Sequence, residues 1–285
     1  MTIIGHQKQW QYLEKLLSED RLPHAFLFSG QEKLGKKTLA IEFLSKFFGK
    51  KPLNHPDFIF LEPTEGIIQI SQIKELIWKI SLKPYSAKIK VAVIDQAHLM
   101  NKDAQNCFLK TLEEPNQNTF LILITPFQEI LLPTIVSRCQ ILKFFPVPNQ
   151  EIENYLKKER MTKEEIKTIL TISQGRPGVA IELSKNEGKI KERAEIINQF
   201  QKLIRSDLVF RFQYAKTISD QPNLKEIIDY WLFYLRDCLL SKLSENNPLI
   251  KKDIERIKKI EEMNFLISTT NVNYRLALEN LFLNL

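Results

Sequence analysis

The feature that most constrains how this chain can fold is the segment Gly30-Gln-Glu-Lys-Leu-Gly-Lys-Lys-Thr38, set between an apolar run at 25–28 and a helical pattern over Lys36–Phe48. A strand that turns through glycines into a helix start gathers backbone N–H groups where an anion can sit. A phosphate-binding loop of this kind needs glycines for close approach, a lysine for the terminal phosphates and a Ser or Thr hydroxyl for magnesium. Gly30, Gly35 and Lys36 meet the first two needs, but Lys37 stands where the hydroxyl belongs. Thr38 does not restore it, because one further residue on a helix turns the side chain by about 100°. The loop predicts a strand–loop–helix nucleus whose metal requirement fails.

The surrounding pattern extends that nucleus into an α/β layer. Short β-rich runs at 25–28, 58–61, 91–94, 120–124 and 140–143 alternate with helical patterns at 36–48, 71–82 and 102–112. Such alternation predicts a five-stranded parallel sheet covered by helices. Ser71 is the expected N-cap of the second helix, and Pro115 ends the third. After Pro146-Val-Pro148 the strand signal stops. Helices are then expected at 149–158, at 162–173 with a Thr162/Glu165 capping box, and at 177–184 with Pro177 in the first turn. The polar run Lys185-Asn-Glu-Gly-Lys189 reads as a second boundary before longer helices, including 224–243 and 248–267. The expected organisation is therefore an α/β domain over 1–148, a small helical domain over 149–186 and a helical C-terminal domain over 187–285.

Composition narrows the setting. Of 285 residues, 44% are hydrophobic and 26% charged, the balance of a soluble globular protein with sizeable cores. The net charge of +7 permits contact with phosphate backbones without requiring it. Cys107, Cys139 and Cys238 form no C-x-x-C pair, which argues against a structural zinc and a disulfide framework. The first residues lack the basic and apolar regions of a secretory signal, and no apolar run reaches membrane-spanning length. A cytoplasmic protein with no membrane partner is expected.

Further candidate site residues follow in order. Val91-Ala-Val-Ile-Asp95 is an apolar strand ending in an aspartate that could hold magnesium beside the loop, or could cap the following turn. The next residue is Gln96, and an amide has no basic carboxylate with which to activate water. His98 has no second ligand at helical spacing and reads as a packing or hydrogen-bonding residue. Thr125, after the fourth strand, could sense phosphate or cap the next segment. Arg138, just before the last strand, could present its planar fork to a neighbouring subunit's phosphate, or could be a surface arginine or internal ion pair.

Taken together, Gly30–Thr38, Val93-Ile-Asp-Gln-Ala-His-Leu-Met100, Leu109-Lys-Thr-Leu-Glu-Glu-Pro115 and Leu132-Pro-Thr-Ile-Val-Ser-Arg-Cys139 resemble the delta-prime subunits of bacterial DNA polymerase III. These are clamp-loader stators of the AAA+ superfamily. Asn271-Val-Asn-Tyr-Arg-Leu-Ala-Leu-Glu279 is similar to the end of their collar, so the likeness spans nearly the whole chain. The resemblance implies an AAA+ domain, a helical lid and an oligomerising collar. It implies that Ser137-Arg138-Cys139 carries an arginine finger, with Arg138 reaching ATP on an adjacent motor subunit. Gly175-Arg176-Pro177 falls where active relatives carry a second sensor. The implied partners are the gamma/tau-type ATPase subunits and the delta subunit, with the sliding clamp and primed DNA met through the complex. Many relatives insert a four-cysteine zinc module before the His-Pro-Asp segment, whereas here Phe48-Gly-Lys-Lys-Pro-Leu-Asn-His-Pro-Asp57 runs straight through, so no zinc is expected. No cofactor is required on this reading, and ATP binding without hydrolysis stays open. Two other functions stand beside it: an ATP-hydrolysing clamp-loader motor, and a nucleic-acid-binding AAA+ relative acting without the polymerase.

Overall fold

The computed structural model describes residues 3–116, 118–243, 250–270 and 272–285. The chain separates into two compact units, one of Met1–Lys158 with Gly175–Val179, the other of Glu159–Gln174 with Ala180–Leu285.

The first unit contains α1 (Gln7–Ser18), β1 (Ala25–Ser29), α2 (Lys36–Phe48), β2 (Phe58–Leu61), α3 (Ile70–Ser81), β3 (Lys90–Ile94), α4 (Lys102–Glu113), β4 (Thr119–Thr125), α5 (Pro133–Arg138), β5 (Gln140–Lys143) and α6 (Asn149–Lys158). All five strands are parallel, in the order β2-β3-β4-β1-β5. Every residue of β1, β3 and β4 is buried, as a parallel sheet covered on both faces demands. Successive side chains divide the core. Phe26, Phe28, Val93, Phe120 and Ile122 pack with Leu13 of α1 and Leu39, Phe43 and Leu44 of α2. Ala25, Leu27, Ala92, Ile94 and Leu123 pack with Leu76 of α3, Phe108 of α4 and Ile135 of α5. The α/β architecture expected from the sequence is present.

Local details differ from expectation at the cap of α3 and at two further helices. Helix α3 begins at Ile70, and its capping box joins Gln69 and Gln72 rather than using Ser71 as N-cap. The Gln72 side chain accepts from Gln69 N at 2.9 Å, which places the cap two residues before Ser71. After the start of the polar run at 185–189, a helix begins at Glu187. Helices α1 and α5 were not expected.

The second unit holds α7 (Lys163–Ser173), the later part of α8 (Pro177–Ser184), α9 (Glu187–Arg205), α10 (Leu208–Ser219), α11 (Leu224–Leu243), α12 (Ile250–Thr269) and α13 (Tyr274–Leu283). Thr162 and Glu165 form the expected reciprocal cap of α7. The core centres on fully buried Trp231, whose ring stacks on Phe200 with centroids 4.9 Å apart and meets Phe282 at 5.8 Å. Buried Arg193 lies 4.1 Å over the Tyr230 ring and donates to Ile172 O at 3.2 Å. Pro248 and Leu249 of the expected 248–267 helix, and Asn271 of the tail segment, lie outside the described residues.

Candidate functional site

The loop begins at the carboxyl edge of β1, between β4 and β5, where ligands of open α/β sheets characteristically bind. Gly30 N donates to Thr125 O at 3.3 Å, and Gly30 has φ +148°. A Cβ there would lie 2.4 Å from Phe144 O. Gly35, at φ +97°, is the N-cap of α2. The loop tip is tied down as well: Gly178 N donates to Lys33 O at 2.9 Å, and His6 Nε2 donates to Leu34 O at 2.8 Å.

Lys36, the expected phosphate lysine, is buried and turned onto its own loop, donating to Gly30 O and, at 2.6 Å, to Gln31 O. Desolvation lowers its pKa to about 8, against the opposing pull of Glu32 and Asp95. Because the folded value lies below the ordinary 10.5, the unfolded chain binds more protons between those two values. Stability then rises with pH in that window. Relative to a Lys36→Met variant, the chain should gain about 2 kcal/mol between pH 8 and pH 10 in urea denaturation. A pH-independent difference would contradict the buried-ammonium assignment.

Lys37 takes a different path. Its Nζ bonds Glu62 Oε1, lies 3.2 Å from Asp95 Oδ2 and sits 4.5 Å over the Phe60 ring. Burial draws its pKa down, but the Glu62 hydrogen bond and the Asp95 charge outweigh that and hold it above the ordinary lysine value. Glu62 was missed in the sequence. The signal lies in the parallel register, since Leu61 pairs with Ile94 and places the next residues of β2 and β3, Glu62 and Asp95, side by side. Asp95 also caps locally, its Oδ1 accepting from Gln96 N at 3.0 Å. Gln96 is exposed, with φ +52°, and Thr38 is half-buried in the first turn of α2. A divalent cation at Asp95 would have to displace an ammonium already bonded there, and Lys37 offers no oxygen to hold it. The residues present do not fit a magnesium site. Among the described residues, no group of three or more His, Cys, Asp or Glu side chains could hold a metal ion.

The other candidates are buried. Thr125 is fully buried, and its Oγ1 accepts from Phe127 N at 3.0 Å. His98 is buried with its ring edge-on to Phe127, centroids 5.5 Å apart. Arg176 is buried in the turn before α8.

Arg138 ends the six-residue helix α5, which Pro133 starts. Its Nη1 donates to Thr134 O at 3.1 Å, and its Nη2 lies 3.0 Å from Glu113 Oε1 at the end of α4. Its side chain keeps 35% of its exposure. Ser137 Oγ donates to Thr134 O at 3.1 Å. Cys139 is buried, and burial pushes its thiol up to about 12, so it packs as a neutral group. Arg138 is thus both surface-accessible and ion-paired within its own chain.

Residues 5–148 match the family described as DNA polymerase III, delta subunit. The DNA polymerase III subunit delta' of Bacillus subtilis (strain 168) is 30% identical, covering 84% of this chain and 78% of that protein. The subunit delta' of Haemophilus influenzae is 31% identical over 82% and 76%. A solved structure of a DNA polymerase III gamma subunit-related protein from Thermotoga maritima has a TM-score of 0.55 at 20% identity, covering 96% of this chain and 97% of that one. That likeness concerns the fold, which is of the AAA+ type. By its matched domain and by relatives spanning both compact units, the chain belongs to the DNA polymerase III delta-prime subunit family.

Proposed function

We propose that the chain is a non-hydrolysing clamp-loader subunit, a stator that donates Arg138 to the nucleotide site of an adjacent ATPase subunit. The observation that carries this reading is the Lys37 ammonium bonded to both Glu62 and Asp95, where catalysis would require a metal. Lys36 is turned onto the carbonyls of its own loop, and Gln96 offers an amide where hydrolysis needs a base. On the opposite count, Ser137-Arg138-Cys139 is intact and its arginine accessible. A planar guanidinium at a subunit boundary stabilises charge spread over the oxygens of a transferring phosphoryl group.

In this reading the nucleotide and its metal belong to the neighbour. The partners are gamma/tau-type ATPase subunits and the delta subunit. The assembly opens a sliding clamp and places it on primed DNA in the cytoplasm. The helical domains at 149–186 and 187–285 serve as lid and oligomerising collar. Among the described residues no helix is long and apolar enough to cross a membrane.

The purified chain, with magnesium and ATP, should release phosphate no faster than a protein-free control. Steady turnover at micromolar protein, lost in Lys36→Ala, would select the motor reading instead. Co-purification with ATPase subunits tests the assembly separately.

A further inference from the structure

We infer that Glu113 is a positioning residue for Arg138: its carboxylate holds the guanidinium in the conformation from which it engages the neighbouring subunit's phosphoryl group. This rests on the reading of Arg138 as a trans-acting arginine.

The geometry supplies the argument. A guanidinium carries five N–H donors in a rigid planar fork, but it rides on a flexible stem. Here two partners orient it. Thr134 O, on the same short helix, accepts from Nη1 at 3.1 Å, and the Glu113 carboxylate forms an ion pair with Nη2, its Oε1 3.0 Å away. Two anchoring points define the direction of the guanidinium plane, where one would leave it free to swing. Both partners are themselves mounted on helix ends: Thr134 lies in α5, and Glu113 is the last residue of α4. Glu114 N closes that end on Lys110 O at 3.0 Å, and Pro115 prevents its continuation. The Thr134 bond commits one Nη1 hydrogen, and the Glu113 carboxylate stands at Nη2 as a counter-charge.

The pair is also weak enough to yield. Side-chain exposures of 35% for Arg138 and 47% for Glu113 leave it screened by water. A polyphosphate carrying several negative charges can draw the fork forward without a large opposing cost. Glu113 therefore orders the finger before engagement and does not trap it.

The test uses the complex reconstituted with its ATPase subunits, clamp and primed DNA, with ATP as substrate. Glu113→Gln keeps size and polarity but removes charge. It should lower kcat about two- to fivefold with KM unchanged, the scale on which an exposed ion pair acts. Glu113→Asp should recover part of the loss. In an Arg138→Ala background, Glu113→Gln should add nothing, because its effect runs through that arginine. Unchanged or faster hydrolysis in Glu113→Gln overturns the inference, as does a full further loss on top of Arg138→Ala. If Arg138→Ala itself leaves hydrolysis intact, the trans-acting reading falls and this inference with it.

Discussion

With Arg138 acting in trans as proposed, Arg138→Ala is expected to slow ATP hydrolysis by the adjacent subunit about 10³–10⁵-fold, while the chain still folds and assembles. The size of the effect follows from what the group would do. An arginine supplied in trans stabilises charge that develops only as the phosphoryl transfers, so its loss falls on the rate and little on nucleotide affinity. Folding should be nearly untouched, because the partly exposed bond with Glu113 is worth about 0–1 kcal/mol once screened by solvent. Thermal unfolding of the isolated variant and its co-elution with the ATPase subunits would establish that. Arg138→Lys should recover only a fraction of the rate, since an ammonium is a point charge without the fork. Single-turnover measurement is the sharper readout, because the other sites of a multi-subunit complex can mask the loss of one in steady state. Full DNA-stimulated hydrolysis by the Arg138→Ala complex would sink the assignment.

The strands were legible in the sequence because each is a short apolar run bounded by turn residues, and β4, buried along its whole length, is the clearest. Helix α2 was legible because its glycines sit at both ends, Gly35 and Gly49 as caps. Helix α1 was harder to read. Within Gln7–Ser18 only Leu13 is buried, so its apolar stripe is thin. Helix α5 has six residues, too few to establish a period. The unexpected cap of α3 shows a limit of residue preference, since two glutamines perform a box more often assigned to shorter side chains.

The site divides in the same way. The mismatch at Lys37 is visible in one dimension, but its partner Glu62 is 25 residues away and joins it only through the parallel register of β2 and β3. Glu113 and Arg138, likewise 25 residues apart in sequence, are brought together by the ends of α4 and α5. Both pairings are long-range, and neither has a local pattern that marks it. Motifs could therefore name the arginine without saying what holds it. They could flag the lysine without saying that it neutralises the aspartate.

Gly30→Ala is expected to destabilise the α/β unit by about 2–5 kcal/mol, and Gly35→Ala by about 1 kcal/mol. The contrast separates two reasons for a glycine. Gly35 has φ +97°, but an added Cβ would meet no heavy atom within 4 Å, so alanine there incurs only backbone strain. At Gly30, φ +148° adds strain of the same kind, and the new Cβ would fall 2.4 Å from Phe144 O. That oxygen cannot swing aside as a side chain could. Phe144 N is bonded to Ser29 O at 2.7 Å, and Gly30 N to Thr125 O at 3.3 Å, so relief requires moving β1 relative to its neighbouring chain segments. Urea denaturation followed by far-UV dichroism would compare the two variants. Equal costs at the two positions, or less than 1 kcal/mol at Gly30, would show that the Phe144 approach yields more easily than this geometry allows. The larger cost at Gly30 would mean that packing alone requires this glycine. A phosphate loop whose hydroxyl position holds Lys37 would then keep its first glycine for the sheet's sake, with or without a phosphate to receive.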